Sequence, residues 1–129
     1  MKTFGLLFLV GFVVLQSCKP QMYGRETLLG TWVTNVDEPL DGKCTIEFTA
    51  HNDNTTSYQF LYENGDSFSG RGLEWKYKCG VFREKYGDGS RGVAKIKWID
   101  ENKFDLVILK NQKTELYKGR IRTYERKRE

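Results

Sequence analysis

The sequence predicts an all-β domain, an antiparallel barrel or sandwich of short strands, and three observations lead there. Nothing in the chain sustains a 3.6-residue apolar repeat over three turns, whereas period-two alternation recurs from Cys44 onward. Breaks rich in Gly, Asn and Asp separate the alternating runs at regular spacing. Aromatic residues make up 14% of the 129 residues, a share that suits strands burying broad side chains and excludes a disordered tail. That length holds one domain.

The N-terminal residues are expected to be an address rather than part of the fold. Met1-Lys2-Thr3 carries one positive charge, Phe4 to Leu15 is uncharged throughout, and Gln16-Ser17-Cys18 follows. A basic start, an apolar middle and small residues at the exit make a secretory signal over residues 1–17. The run is too short for the ~20 apolar residues of a membrane span. Leu15-Gln16-Ser17-Cys18 resembles the lipobox of bacterial lipoproteins. The resemblance implies cleavage before Cys18, a diacylglycerol on its thiol and an acyl chain on its new amine. Two or more chains are what stable anchoring needs, since each buried CH₂ contributes only ~0.8 kcal/mol. The alternative is an ordinary secretory signal that ends near a cysteine. Lys19 stands where an Asp would retain such a lipoprotein at the inner membrane, so the expected location is the outer membrane, facing the periplasm or the cell surface.

Residues 18–27 read as a lipidated tether, polar and without period, and residues 28–129 as the folded domain. Loss of Lys2 with the signal lowers the net charge from +4 to +3. Positive charge concentrates in Lys118 to Glu129, which holds six basic and two acidic residues. Such an end either meets anionic headgroups, at ~1 kcal/mol per charge, or is a solvated terminus. Nucleic acid is not an expected partner of an exported chain.

Cys44, Ile46 and Phe48 share one strand face, and Tyr58, Phe60 and Tyr62 another. Trp75, Tyr77, Cys79 and Val81 alternate with Glu74, Lys76 and Lys78 in what reads as one strand. Ala94, Ile96 and Trp98 alternate with Lys95 and Lys97, and Phe104, Leu106 and Ile108 follow the Asp100-Glu101-Asn102 turn. A last strand is expected from about Glu115 to Tyr124. Cys44 and Cys79 both fall on apolar faces, and in an oxidising compartment two such cysteines are expected to form a structural disulfide, at about 3–4 kcal/mol. Buried thiols are the alternative. A redox pair is disfavoured, because no Cys-x-x-Cys is present.

Leu28-Leu29-Gly30-Thr31-Trp32 resembles the Gly-x-Trp opening of the lipocalins and lipocalin-like bacterial lipoproteins, and Tyr117 to Arg126 (YKGRIRTYER) resembles their final strand. The strand Lys103-Phe104-Asp105-Leu106, after the Asp100-Glu101-Asn102 turn, is similar to that of small lipocalin-like lipoproteins of the Bacteroides group. The resemblance implies an up-and-down barrel of about eight short strands, with Trp32 closing one end and Arg120 or Arg122 stacked on its ring. Such a desolvated cation–π contact is worth ~2 kcal/mol. The chain is short for a full lipocalin, and a Thr-Asp-Tyr-type motif is missing.

Few residues offer catalytic chemistry, and no catalytic residue, metal ligand or cofactor is expected. The one imidazole, His51, lies in a turn. The carboxylate pairs Asp37/Glu38 and Asp100/Glu101 are adjacent residues of turns, which are ordinarily solvated. Asn52-Asp53-Asn54 lacks the spacing of a calcium loop, and Asp88 to Gly92 fits no phosphate-binding pattern. Aromatics are what the chain has in excess. Tyr58, Phe60, Trp75, Tyr77 and Trp98 would line a ligand pocket in a wide barrel, or form the core of a narrow one. Two non-enzymatic functions therefore stand side by side. One is a membrane-anchored envelope lipoprotein binding a small apolar ligand inside its barrel. The other is an envelope accessory protein with a solid barrel that docks a protein partner or inhibits an enzyme.

Overall fold

A computed structural model describes residues 21–111 and 115–128. The proposed signal and Cys18 lie outside these residues. A single helical turn α1 (Arg25–Leu28) leads into nine strands: β1 (Gly30–Glu38), β2 (Gly42–Ala50), β3 (Thr56–Tyr62), β4 (Ser67–Gly72), β5 (Glu74–Lys78), β6 (Val81–Lys85), β7 (Arg91–Asp100), β8 (Lys103–Lys110) and β9 (Ile121–Arg126). They form one antiparallel sheet in the order β4-β3-β2-β1-β9-β8-β7-β6-β5. Every neighbour but one is a sequential neighbour, and β9 returns to β1, so the meander curls into a nearly closed barrel. Among the described residues no helix is long and apolar enough to cross a membrane.

The nine strands amount to eight passes. Only Leu73 separates β4 from β5, and alternation around the sheet makes the two run in the same direction. They are halves of one bent strand: β4 pairs with β3, while β5 pairs with β6. The switch happens at Leu73, whose N–H donates to the Lys85 carbonyl at 2.8 Å. Gly72 permits the bend to pack closely, because a Cβ there would sit 2.2 Å from the Thr56 hydroxyl.

The alternating pattern puts apolar side chains inside. Trp32 pairs with Phe48, and Phe48 with Tyr58, so one inward rung runs across three strands. Trp32, Ile46, Phe104 and Tyr124 are fully or almost fully buried, while Lys95 and Lys97 point outward.

Several expectations need correction. The run from Trp75 to Val81 is two strands, not one. Cys79 and Gly80 both adopt left-handed φ (55° and 76°), which makes the two-residue turn that suits a right-twisted hairpin. The alternation reads through such a turn without a visible break, because the side chains on either side still alternate. Cys44 and Cys79 are not joined. Cys44 is buried and is not in a disulfide; it pairs with Val36 and Tyr62 beside the β1–β2 turn. Cys79, in the β5–β6 turn, is disulfide-bonded, so the expected bridge is half right: Cys79 is in a disulfide, but not with Cys44. Residues 115–117 form a 3₁₀ turn, and the last strand begins only at Ile121. The second half of the supposed tether is docked: the Tyr23 ring packs edge-on to Trp98 at 5.3 Å.

Candidate functional site

The two ends of the barrel differ, and the difference begins with where the large rings fall. At one end Trp32, Trp98 and Phe104 pack edge to face, with centroids 4.7–6.0 Å apart. The turn α1 covers them, and the Trp32 indole N–H donates to the Leu28 carbonyl at 2.8 Å. The cation over the Trp32 ring is Arg126, 4.3 Å from the centroid, and not Arg120 or Arg122. Register explains the correction: Arg126 is the cross-strand partner of Trp32 itself. Arg120 precedes β9, and Arg122 lies two inward positions nearer the other end. Arg126 also donates to the carbonyls of Leu29, Thr27 and Glu101, which staples the N-terminal turn and the β7–β8 turn to the plug.

Beside this plug, Arg25 covers the Trp75 ring at 4.9 Å and donates to Asn52 and Asn54. Those bonds engage the Asn52 and Asn54 oxygens that a cation would need. Asp53 accepts from the Thr55 hydroxyl and N–H, which lowers its carboxyl below the usual range. His51 contacts the Ser57 hydroxyl at 2.6 Å, and its carbonyl accepts from the Trp75 indole.

The other half of the barrel is hollow. A cavity of about 640 Å³ is walled by Phe48, Tyr58, Phe60, Phe68, Phe82, Ala94, Leu106 and Ile108, with Glu84, Tyr86, Tyr117, Arg122 and Tyr124 among its polar lining. That volume lies within the range of small-molecule sites, ~300–1,000 Å³. Phe68, Gly70 and Arg71 of β4 and Tyr86 to Asp88 of the β6–β7 turn also border it, where the bent strand has left β4 without a partner on that side. Of the aromatics expected to line a pocket, Tyr58 and Phe60 do so. Trp75, Tyr77 and Trp98 belong to the packed core instead, the Trp98 indole donating to the Tyr77 hydroxyl at 2.9 Å. They share the inward parity of Tyr58 and Phe60 but stand nearer the plug.

Two polar groups in this half are buried. Arg122 meets Glu38 in a two-pronged pair (Nε–Oε2 2.9 Å, Nη2–Oε1 2.6 Å), their side chains 11% and 4% exposed. Burial disfavours the guanidinium charge, but the Glu38 carboxylate outweighs it and holds the Arg122 pKa above its ordinary value. Arg122 also lies over the Tyr117 ring, 5.7 Å from its centroid. Tyr117 donates to Asp41 at 2.7 Å, and burial with that acceptor pushes its pKa up to about 12.

Glu84, 7% exposed, accepts hydrogen bonds from Thr56 at 2.7 Å, from Tyr86 at 3.1 Å and from Tyr58. Burial raises its pKa, against the three hydroxyls that favour the charged form. Burial likewise raises Tyr58, Tyr86 and Tyr124, so all three phenols stay neutral donors near neutral pH. Sequence reasoning passed over Glu84 because Arg83-Glu84-Lys85 looks like solvated charge. The available signal was parity, since Glu84 follows Phe82 at a spacing of two while Arg83 and Lys85 take the opposite face. Compared with the models of known protein families and with curated proteins, the chain matches none.

Proposed function

We propose that the protein is a cell-envelope lipoprotein, anchored through Cys18, whose lipocalin-like barrel binds a small, largely apolar molecule without transforming it. The observation that carries this reading is the cavity of about 640 Å³ with its aromatic wall, set above a densely packed plug. A solid barrel would have no such space, so the cavity favours ligand binding over partner docking. The neutral phenols around it offer hydrogen-bond handles of the kind that orient a ligand in an apolar site. The anchor rests on the lipobox-like Leu15-Gln16-Ser17-Cys18.

The binding test is titration with the fluorescent apolar probe N-phenyl-1-naphthylamine. Gly70 borders the cavity, and a Cβ there meets its neighbours only at ordinary van der Waals distance, 3.7–3.9 Å. Gly70→Leu therefore fills space without a clash at its root, and is expected to weaken probe binding about tenfold or more. A wild-type protein that ignores the probe overturns the reading, as does a folded Gly70→Leu variant that binds it equally well. For the anchor, the intact mass of the membrane-extracted protein is expected to show cleavage before Cys18 with acyl chains added. An unacylated Cys18, as thiol or disulfide, overturns it.

A further inference from the structure

If the barrel is a binding site, as proposed above, the polar content of its cavity narrows the class of ligand. A carboxylate offers roughly four lone-pair positions. Tyr58 and Tyr86 occupy Glu84 Oε1 and Thr56 occupies Oε2, which leaves one position on Oε2. These bonds tie β6 to β3 across the bent strand, a task that the amide of a glutamine would also perform. What a carboxyl adds over an amide is a charge, and burial, which raises the Glu84 pKa, disfavours that charge unless a cation is brought beside it. Among the described residues no Lys, Arg or His forms an ion pair with Glu84, and its hydrogen-bond partners are all hydroxyls.

Among the described residues, the cations that line the cavity are paired elsewhere or exposed. Arg122 is clamped by Glu38, and Arg71 and Lys110 are exposed. A buried carboxylate without a counter-ion costs several kcal/mol. Around it stand four rings centred on Phe48: Tyr58 at 5.2 Å, Phe82 at 5.5 Å and Tyr124 at 6.0 Å, centroid to centroid. Aromatic faces attract cations, most strongly where water is excluded. An anionic ligand finds the opposite conditions, since the Arg122 guanidinium in the cavity wall already has both prongs on a carboxylate.

We infer that the cavity takes an organic cation, a small ammonium compound with an aromatic or aliphatic body. Its nitrogen lies against Glu84 and its body against Phe48, Tyr58, Phe82 and Tyr124. Such a ligand supplies the missing counter-ion, and its body fills apolar space that is otherwise empty.

The test compares three compounds with one indole body and three head groups: tryptamine, tryptophol and indole-3-propionate. Calorimetric titration of the full chain at neutral pH is expected to rank tryptamine about tenfold or more above tryptophol, with the carboxylate weakest. Glu84→Gln is expected to bring tryptamine and tryptophol within about twofold of each other. Equal binding of the amine and the alcohol by the wild type overturns the inference, and so does a preference that survives Glu84→Gln. Should the variant fail to fold, the wild-type ranking decides. If the apolar probe binds but none of the three indoles does, the cationic ligand falls while the binding reading stands. If the probe fails as well, both fall.

Discussion

The Arg126 guanidinium does three things at one end of the barrel. It covers the Trp32 ring, caps carbonyls of the N-terminal turn, and holds the β7–β8 turn through Glu101 and Asn102. A desolvated cation–π contact is worth ~2 kcal/mol, and each carbonyl left unpaired in a buried setting costs ~1–3 kcal/mol. Water can reach part of this site, so the lower end of each range applies. Arg126→Ala is expected to lower unfolding stability by about 2–4 kcal/mol, with Arg126→Lys intermediate because an ammonium cannot reach all the carbonyls at once. Urea denaturation measures both, and a loss below about 1 kcal/mol for the alanine variant would show that the staple is dispensable. The residue was half legible. Trp32 stood out in its Gly-Thr-Trp setting, and Arg120, Arg122 and Arg126 share one parity, but parity cannot say which rung of a ladder meets a given ring.

Between elements, the shortest ladder lies at the seam where β9 returns to β1. The ladder there consists of Trp32↔Arg126 and Val33↔Glu125, after which the strands part toward the open end. The Glu38–Arg122 pair bridges that gap, and the Tyr117 turn covers it by bonding Asp41 across the mouth. Removing one member of a buried pair leaves the other charged and unsolvated. Arg122→Met is therefore expected to cost about 3–5 kcal/mol, and the double variant Glu38→Leu/Arg122→Met to recover most of it. Thermal and urea unfolding of the single and double variants decide. A double variant as unstable as the single one would mean that the pair's geometry, not its charge balance, holds the seam. The element boundaries that escaped sequence reading are those set by neighbouring strands. Residues 115–117 coil into a 3₁₀ turn because Tyr117 is drawn to the β1–β2 turn, and the Cys79-Gly80 reversal hides inside a continuing alternation.

Over the whole molecule, the division into a packed half and a hollow half governs what the barrel can do. Rings crowd the plug end until nothing fits between them, whereas Gly70, Gly92 and Ala94 keep the other wall thin. The bend at Leu73 leaves β4 unpaired along the cavity's border, while Leu73 and Thr56 seal the barrel nearer the plug. The all-β class was legible in alternation and turn chemistry, which are local properties, whereas the up-and-down order, the count of about eight strands and a buried Trp32 were implied by the resemblance carried by Leu28 to Trp32 and Tyr117 to Arg126. Three matters depended on the folded arrangement: which aromatics face the cavity, which arginine covers Trp32, and which three hydroxyls surround Glu84. All three turn on register and strand tilt. These arise when distant strands pair and the sheet closes on itself, and a period of two along one strand does not encode them.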